Sequence, residues 1–239
     1  MSKVELFKEE LSKEERARNH SNQYADDFEA KQDPMRVGRL LPYLNIPKGA
    51  IIGDFGCGNS LLLEFLTERI SDIKTYYGVD FSADLIAYAK KRCQRLGFNQ
   101  AQYFEGAIQD FCGQHGDELD LAVAFDVSEH IYDAEWVDIL RATYGALKKG
   151  GSLYLHTPNG HFFMEIMKEH NLIFKQLPEH IAVRDEDWNV ALLKEAGFSQ
   201  IKVHYLPHYN VLKHAHPLSH LPGLGKFFVG RLFIVATKV

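Results

Sequence analysis

The stretch Ile51-Ile52-Gly53-Asp54-Phe55-Gly56-Cys57-Gly58-Asn59-Ser60 constrains the fold more than any other part of the chain. An apolar run ends in an acid, a glycine pair follows, and Leu61-Leu62-Leu63-Glu64-Phe65-Leu66 then reads as a helix. Strand, tight turn and helix start are the grammar of an α/β unit. Glycine lets the backbone turn sharply and approach a ligand closely, because no Cβ intervenes. A helix start just beyond presents N–H groups without intrahelical partners. In an open α/β sheet, ligands bind outside the C-terminal ends of the strands. The first expectation is therefore a nucleotide-like cofactor seated on this turn.

The residues narrow the choice of cofactor. A dinucleotide fingerprint needs Gly-x-Gly-x-x-Gly, and its third glycine would fall at Leu61. No Gly-Lys-Ser/Thr follows, so a phosphate-cradling loop is absent. The acid inside the motif gives little to an anion but would favour a cationic ligand group. Asp54-Phe55-Gly56-Cys57-Gly58 resembles motif I of class I S-adenosylmethionine-dependent methyltransferases, with Ser60 where that pattern has a third glycine. The resemblance implies S-adenosyl-L-methionine as cofactor, S-adenosyl-L-homocysteine as product, and Asp54, Gly56, Cys57 and Gly58 as cofactor-binding residues.

Ile73 to Val79 reads as a second strand closed by Asp80. An acid there lies beside the first strand's end, where a carboxylate can accept both hydroxyls of a ribose. Gly78-Val79-Asp80-Phe81-Ser82 is similar to the family's Gly-x-Asp-x-Ser, which adds Phe81 to the cofactor side. Ser82 suits the N-cap of the next helix, whose face Leu85, Ala89, Cys93 and Leu96 stops at Gly97. A third strand, Ala101 to Phe104, leads into Glu105-Gly106-Ala107-Ile108-Gln109-Asp110, where the family has an adenine-covering loop. Ile108 is expected on the ring, and Gln109 or Asp110 at its exocyclic amine.

Leu119 to Phe125 reads as a buried fourth strand ending in Asp126-Val127-Ser128-Glu129-His130. That ending resembles motif IV of small-molecule methyltransferases, and Asp126 is assigned to the cofactor site with it. The Asn-Pro-Pro-Tyr of nucleic-acid amino methyltransferases is missing. Trp136, Ile139, Leu140 and Thr143 mark a helix, Lys148-Lys149-Gly150-Gly151 a turn, and Ser152 to Thr157 a fifth strand. The aromatic and Met-rich piece after Gly160, up to His180, interrupts the alternation and reads as a substrate-side cap. A helix carrying Leu192, Leu193 and Ala196 follows, then a sixth strand from Phe198 to Leu206. Pro207 to Gly230 reads as a long loop, and Arg231 to Val239 as the final, antiparallel edge strand.

The fold class expected is α/β, a doubly wound, mostly parallel seven-stranded sheet with an N-terminal helical lid and insertions near the acceptor site. A single domain over 1–239 divides into a lid (1–45), a cofactor-binding core (46–157) and an acceptor-side cap with the C-terminal strands (158–239). In many class I methyltransferases a tyrosine before the first core helix reaches the cofactor's carboxylate, and Tyr24 resembles it.

Net charge, −5, speaks against nucleic acid as a partner. Cys57, Cys93 and Cys112 lack metal-type spacing and fit a reducing, cytoplasmic compartment. The charged start of the chain is neither a secretory signal nor a membrane span. After Glu195 no acid occurs, whereas Lys202, Lys213, Lys226, Arg231 and Lys238 do. That basic segment suits an anionic acceptor or peripheral contact with a membrane surface.

Within the superfamily the chain is most similar to the O-methyltransferases of ubiquinone biosynthesis, from motif I through strand five. The group's acceptors are phenols, so the resemblance implies O-methylation of a hydrophobic or anionic small molecule. An oxygen acceptor calls for a base, and histidine titrates in the right range. His130 leads, with His156 next and His161 a rival. In that group the acids and histidine after strand four are linked to a divalent metal, matching Asp126, Glu129 and His130. The reading preferred for these three is a capping and hydrogen-bonding cluster, with no metal assigned. A protein or peptide methyltransferase, or a non-catalytic cofactor-binding partner subunit, are the alternatives.

Overall fold

The computed structural model describes residues 33–70, 72–170, 172 and 180–239. Tyr24 and most of the expected lid lie outside this range. Seven strands form one sheet in the order β3-β2-β1-β4-β5-β7-β6. They are β1 (Ala50–Phe55), β2 (Ile73–Asp80), β3 (Ala101–Glu105), β4 (Leu119–Phe125), β5 (Leu147–Pro158), β6 (Gln200–Leu206) and β7 (Arg231–Thr237). The first five are parallel, whereas β7 runs antiparallel to both neighbours. The order reverses between β1 and β4, and that switch point opens a crevice at the strand C-termini.

Parallel strands covered on both faces read as continuous apolar runs. β1 is buried along its whole length, and its alternate residues serve different layers. Ile51 and Phe55 join Ala122, Leu155 and Ile234 under α4 (Ile108–Gln114), α5 (Asp133–Ala146) and α7 (Glu186–Glu195). Ile52 joins Val123, Tyr154 and Phe233 under α2 (Leu61–Arg69) and α3 (Ala83–Leu96). On this second face lie α1 (Pro34–Gly38) and the 3-10 turn Leu41–Tyr43, with Leu40 and Leu41 buried. The helix ends follow local chemistry. Ser82 accepts from the Leu85 N–H at the start of α3, and Gly97 closes it at φ +64°.

Three expectations change. The last strand is antiparallel, but it lies between β5 and β6, so β6 is the edge. The hydrophobic run of β7 explains this, since Leu232, Phe233, Ile234 and Ala236 are all buried. The segment 207–230 contains 3-10 turns at Val211–His220 and Gly225–Phe228. The adenine-side loop is short, because α4 begins at Ile108 itself. From the cap, helix α6 (Phe163–Glu169) is described; Phe162 stacks on His208 and Phe163 packs at a tilt against Phe228, both of the 207–230 segment.

Candidate active site

The turn after β1 directs its backbone donors at β2. Gly56 and Cys57 N–H both donate to the Val79 carbonyl, at 2.8 and 3.1 Å. Gly58 N–H donates to Asp80 Oδ2 at 2.9 Å, and Ser60 N–H to the Cys57 carbonyl. A phosphate cradle needs such N–H groups pointing at the ligand. These are used inside the protein, so the turn fits a cofactor without phosphate. The close approach is enforced sterically. A Cβ on Gly56 would meet Val127 Cγ2 at 2.5 Å, at a backbone φ of +68°. Ser60 also holds a left-handed conformation, φ +58°, where the family pattern has glycine.

Two buried acids stand beneath and beside this turn. Asp80 is 6% exposed, and Oδ1 accepts from the Ser82 N–H at 2.9 Å. Its carbonyl accepts from Gly106 N–H, which draws the Ile108-Gln109 start of α4 to the end of β2. Phe81 is half exposed next to Asp80. Asp54 is buried and accepts from the Tyr76 hydroxyl, which also reaches Ser60 Oγ at 3.4 Å. Burial pushes the Asp54 carboxyl up to about 7; the Tyr76 hydrogen bond opposes the shift and the Asp80 charge adds to it.

Across the switch point the construction differs. Asp126, left-handed at φ +56°, receives Arg36 Nη2 on Oδ2 at 2.8 Å and Arg231 Nη1 on Oδ1 at 2.9 Å. His156 Nδ1 lies 3.0 Å from the same Oδ1. The Tyr209 hydroxyl stands 3.1 Å from His156 Nε2. Both guanidiniums pack on the Tyr209 ring, 4.7 Å (Arg36) and 4.5 Å (Arg231) from its centroid. Burial alone would raise the Asp126 carboxyl, but Arg231, His156 and Arg36 outweigh it and hold it well below the usual carboxylate range. Burial lowers His156, and the two arginines add to that against the pull of Asp126.

The 3-10 turn Ser128–His130 follows. Glu129 is buried, accepts from Thr157 Oγ1 at 3.3 Å, and is pushed up to about 8 by burial and by the Asp126 charge. His130 packs edge-on against His180, ring centroids 5.0 Å apart. Glu129, His130 and His180 bring donor atoms within 4.8 Å of one another. Burial, with His130 adding, lowers His180 to about 4. Arg184 holds this turn from below. It donates to the Ser128 and Ile131 carbonyls and to Asp133 Oδ1 at 2.6–2.7 Å, and is itself fully buried.

The structure therefore gathers Asp54, Gly56, Cys57, Gly58, Asp80, Phe81, Ile108 and Gln109 at the ends of β1, β2 and the start of α4. Asp126 belongs with the arginines instead. Helical spacing would have grouped Asp126 with Glu129 and His130, but the left-handed backbone at Asp126 turns it away, and His180 stands with the other two. His156 is 1% exposed, with ring nitrogens facing Asp126 and Tyr209. His161 is held 3.4 Å from Asp185. Arg36, Tyr76, Arg184, Tyr209 and Arg231 were not singled out as site residues. No local pattern marks them: the arginines and Tyr209 meet their partners across a long stretch of chain, and Tyr76 meets Asp54 from the neighbouring strand.

Residues 54–153 match the family model described as a methyltransferase domain. That stretch, under half of the chain, is similar to such a domain. Fold and turn are those of the class I, S-adenosylmethionine-dependent type. Among curated proteins, the chain is 24% identical over 153 residues to a ubiquinone biosynthesis O-methyltransferase of Escherichia coli. That alignment covers 63% of this chain and 61% of the relative. For a second such enzyme, of Xanthomonas axonopodis, the match is 28% identical and covers 50% of its length. The chain thus spans roughly half to three-fifths of the curated relatives it matches. A methyltransferase structure from Archaeoglobus fulgidus superposes with a TM-score of 0.69 at 16% identity, over 91% of this chain and 100% of that one. Around residues 54–153 the whole sheet therefore keeps this fold. Among the described residues, no helix is long and apolar enough to cross a membrane.

Proposed function

We propose that the protein transfers a methyl group from S-adenosylmethionine to a hydroxyl oxygen of a small hydrophobic or anionic metabolite. The observation that carries this reading is the asymmetry of the switch point. One side has a phosphate-free cofactor turn with Asp80 beside it; the other has an aromatic cap and a cationic cluster.

When bound, S-adenosylmethionine supplies an electrophilic methyl on a sulfonium. Asp80 accepts the ribose hydroxyls. Phe81 and Ile108 flank the adenine, and Gln109 meets its amine. Gly56, Cys57 and Gly58 let the backbone come close, Asp54 supports them through Tyr76 and Ser60, and Tyr24 binds the cofactor's carboxylate. Methyl transfer to oxygen then needs an aligned acceptor and somewhere for its proton to go. His130, partly exposed beside Glu129, is the base in this reading. His156 serves Tyr209 and Asp126, because burial lowers its pKa and keeps it out of the acceptor's reach. Asp126 borders the acceptor. The division into lid (1–45), cofactor core (46–157) and acceptor cap (158–239) belongs to the same reading.

The basic C-terminal segment supports a peripheral contact with an anionic surface. Exposed Val211, Leu218, Leu221 and Leu224 stand among its lysines and histidines, a mixture that suits a lipid interface.

The test uses the full chain, methyl-labelled S-adenosylmethionine and a cell extract separated into lipid, small-molecule and protein fractions. Label is expected in the lipid or small-molecule fraction. Label confined to protein would replace the acceptor class, and tight cofactor binding with no transfer to any fraction would sink the enzyme reading.

A further inference from the structure

Two guanidiniums share a single ionised carboxylate at the acceptor end of the sheet. Arg36 and Arg231 each donate one N–H to Asp126. The other acid in range, Glu129, stands 4.0 Å from Arg231 and is shifted to about 8, so it is mostly protonated at neutral pH. Burial and the two arginines lower His156 as well, against the pull of Asp126. Among the described residues, no third acid pairs with either arginine. Two guanidiniums thus share one carboxylate within hydrogen-bonding distance.

A surplus cation held in a partly dry site is costly unless an anion joins it. Arg231 is 9% exposed, whereas Arg36 is 43% exposed and in reach of an incoming ligand. Tyr209 fixes both guanidiniums by stacking, which leaves their planar donor forks preorganised. Its own hydroxyl is aligned by His156, itself fixed by Asp126. The cluster also touches the cofactor turn, since Val127, next to Asp126, packs on Gly56.

We infer that Arg36 and Arg231 form a subsite for an anionic oxygen group, a carboxylate or a phosphate ester, carried by the methyl acceptor. Guanidinium forks match either group bidentately. An anion here also faces the positive field of a sulfonium cofactor, which concentrates it at the site. Asp126 then tunes the subsite: it keeps the arginines in place while leaving one net charge for the ligand. This rests on the methyl-transfer reading, because it names that reading's acceptor.

The experiment is a calorimetric titration of the full chain, first with S-adenosylhomocysteine and then, once loaded, with benzoate, phenyl phosphate or neutral benzamide. The anions are expected to bind about tenfold or more tightly than benzamide, the scale of one charged hydrogen bond. Arg36→Gln should erase that preference without changing affinity for S-adenosylhomocysteine, and Arg36→Lys should keep part of it. Comparing benzoate with phenyl phosphate separates the two sources of the anionic group. Equal binding of benzamide and the anions overturns the subsite, and so does an undiminished preference in Arg36→Gln. If S-adenosylhomocysteine itself fails to bind, the methyl-transfer reading falls, and the subsite with it, at the first titration.

Discussion

The two sides of the switch point are built by opposite means. At the ends of β1 and β2, a short local segment makes the site. Gly58 meets Asp80 across 22 positions, and the acids there are satisfied by backbone N–H groups and one tyrosine. At the ends of β4 and β5, charged side chains gathered from the whole chain make it. Arg36 reaches Asp126 across 90 positions, Arg231 across 105, and Tyr209 reaches His156 across 53. The electrostatics differ in sign as well. Asp54 is buried without a cation and its carboxyl moves up; Asp126 is met by two cations and its carboxyl moves down. A cofactor used by a whole superfamily can be held by a fixed backbone turn. An acceptor particular to one protein needs side chains that can be exchanged.

Four measurements break or sharpen this contrast. Gly56→Val should have the largest effect. The β-branched side chain would be strained at φ +68° and would collide with Val127, costing roughly 2–5 kcal/mol. Loss of S-adenosylhomocysteine binding by calorimetry, with the circular dichroism of a folded chain, is the expected result; normal binding would remove the turn from the cofactor site.

Asp126→Asn comes next. Asparagine tolerates the left-handed backbone, so the change removes charge alone and leaves two arginines unanswered. A buried pair broken this way costs several kcal/mol. With Arg36 partly exposed, about 2–3 kcal/mol is expected in urea unfolding. An unchanged midpoint would mean that the arginines are indifferent to Asp126.

Asp54→Asn should be milder at neutral pH, under about 1 kcal/mol, because Asp54 is already partly protonated and the amide oxygen still accepts from Tyr76. Its mark is on pH dependence. A carboxyl raised to about 7 in the folded chain stabilises the fold fully at pH values below its unfolded pKa. That contribution fades as pH climbs from about 4 through 7, by up to about 1.4 kcal/mol per pH unit. Asp126 has the reverse sign: its contribution is present above the unfolded carboxylate pKa and disappears as pH falls through its depressed folded value. Unfolding of Asp54→Asn measured between pH 5 and 8 should be flatter than that of the wild type; identical slopes would show that Asp54 is not the group responsible.

Ser60→Gly is the smallest. It relieves a left-handed serine worth about 1–2 kcal/mol, offset by the added freedom of glycine in the unfolded chain and by the contact with Tyr76. A net gain of about 0.5 kcal/mol is expected in thermal unfolding. A loss would give the Ser60 hydroxyl a larger part than its 3.4 Å contact suggests.

The same contrast explains what could be read without coordinates. The α/β alternation, the strand-end acids and the turn at Gly56 were legible, because each follows from neighbours within a few positions. Asp126 stands out at the end of its strand, but its partners do not. Nothing near Arg36 or Arg231 in the chain says that they share a carboxylate, and a buried arginine such as Arg184 looks like any surface charge in a sequence. The edge strand was misread for a related reason. Apolar content tells that β7 is buried, but only the pairing tells that it is inserted between two other strands.

That insertion has a consequence in time. A chain made from its N-terminus completes β6 while the strand that joins it to the sheet does not yet exist. The parallel half, with the cofactor turn, can close first, because all of its pairings precede β6. The acceptor side must wait for Arg231, the residue that both opens β7 and reaches Asp126. Until then β6 has no partner on either side, an aggregation-prone state, and a chaperone would find its binding stretch there rather than in the cofactor core.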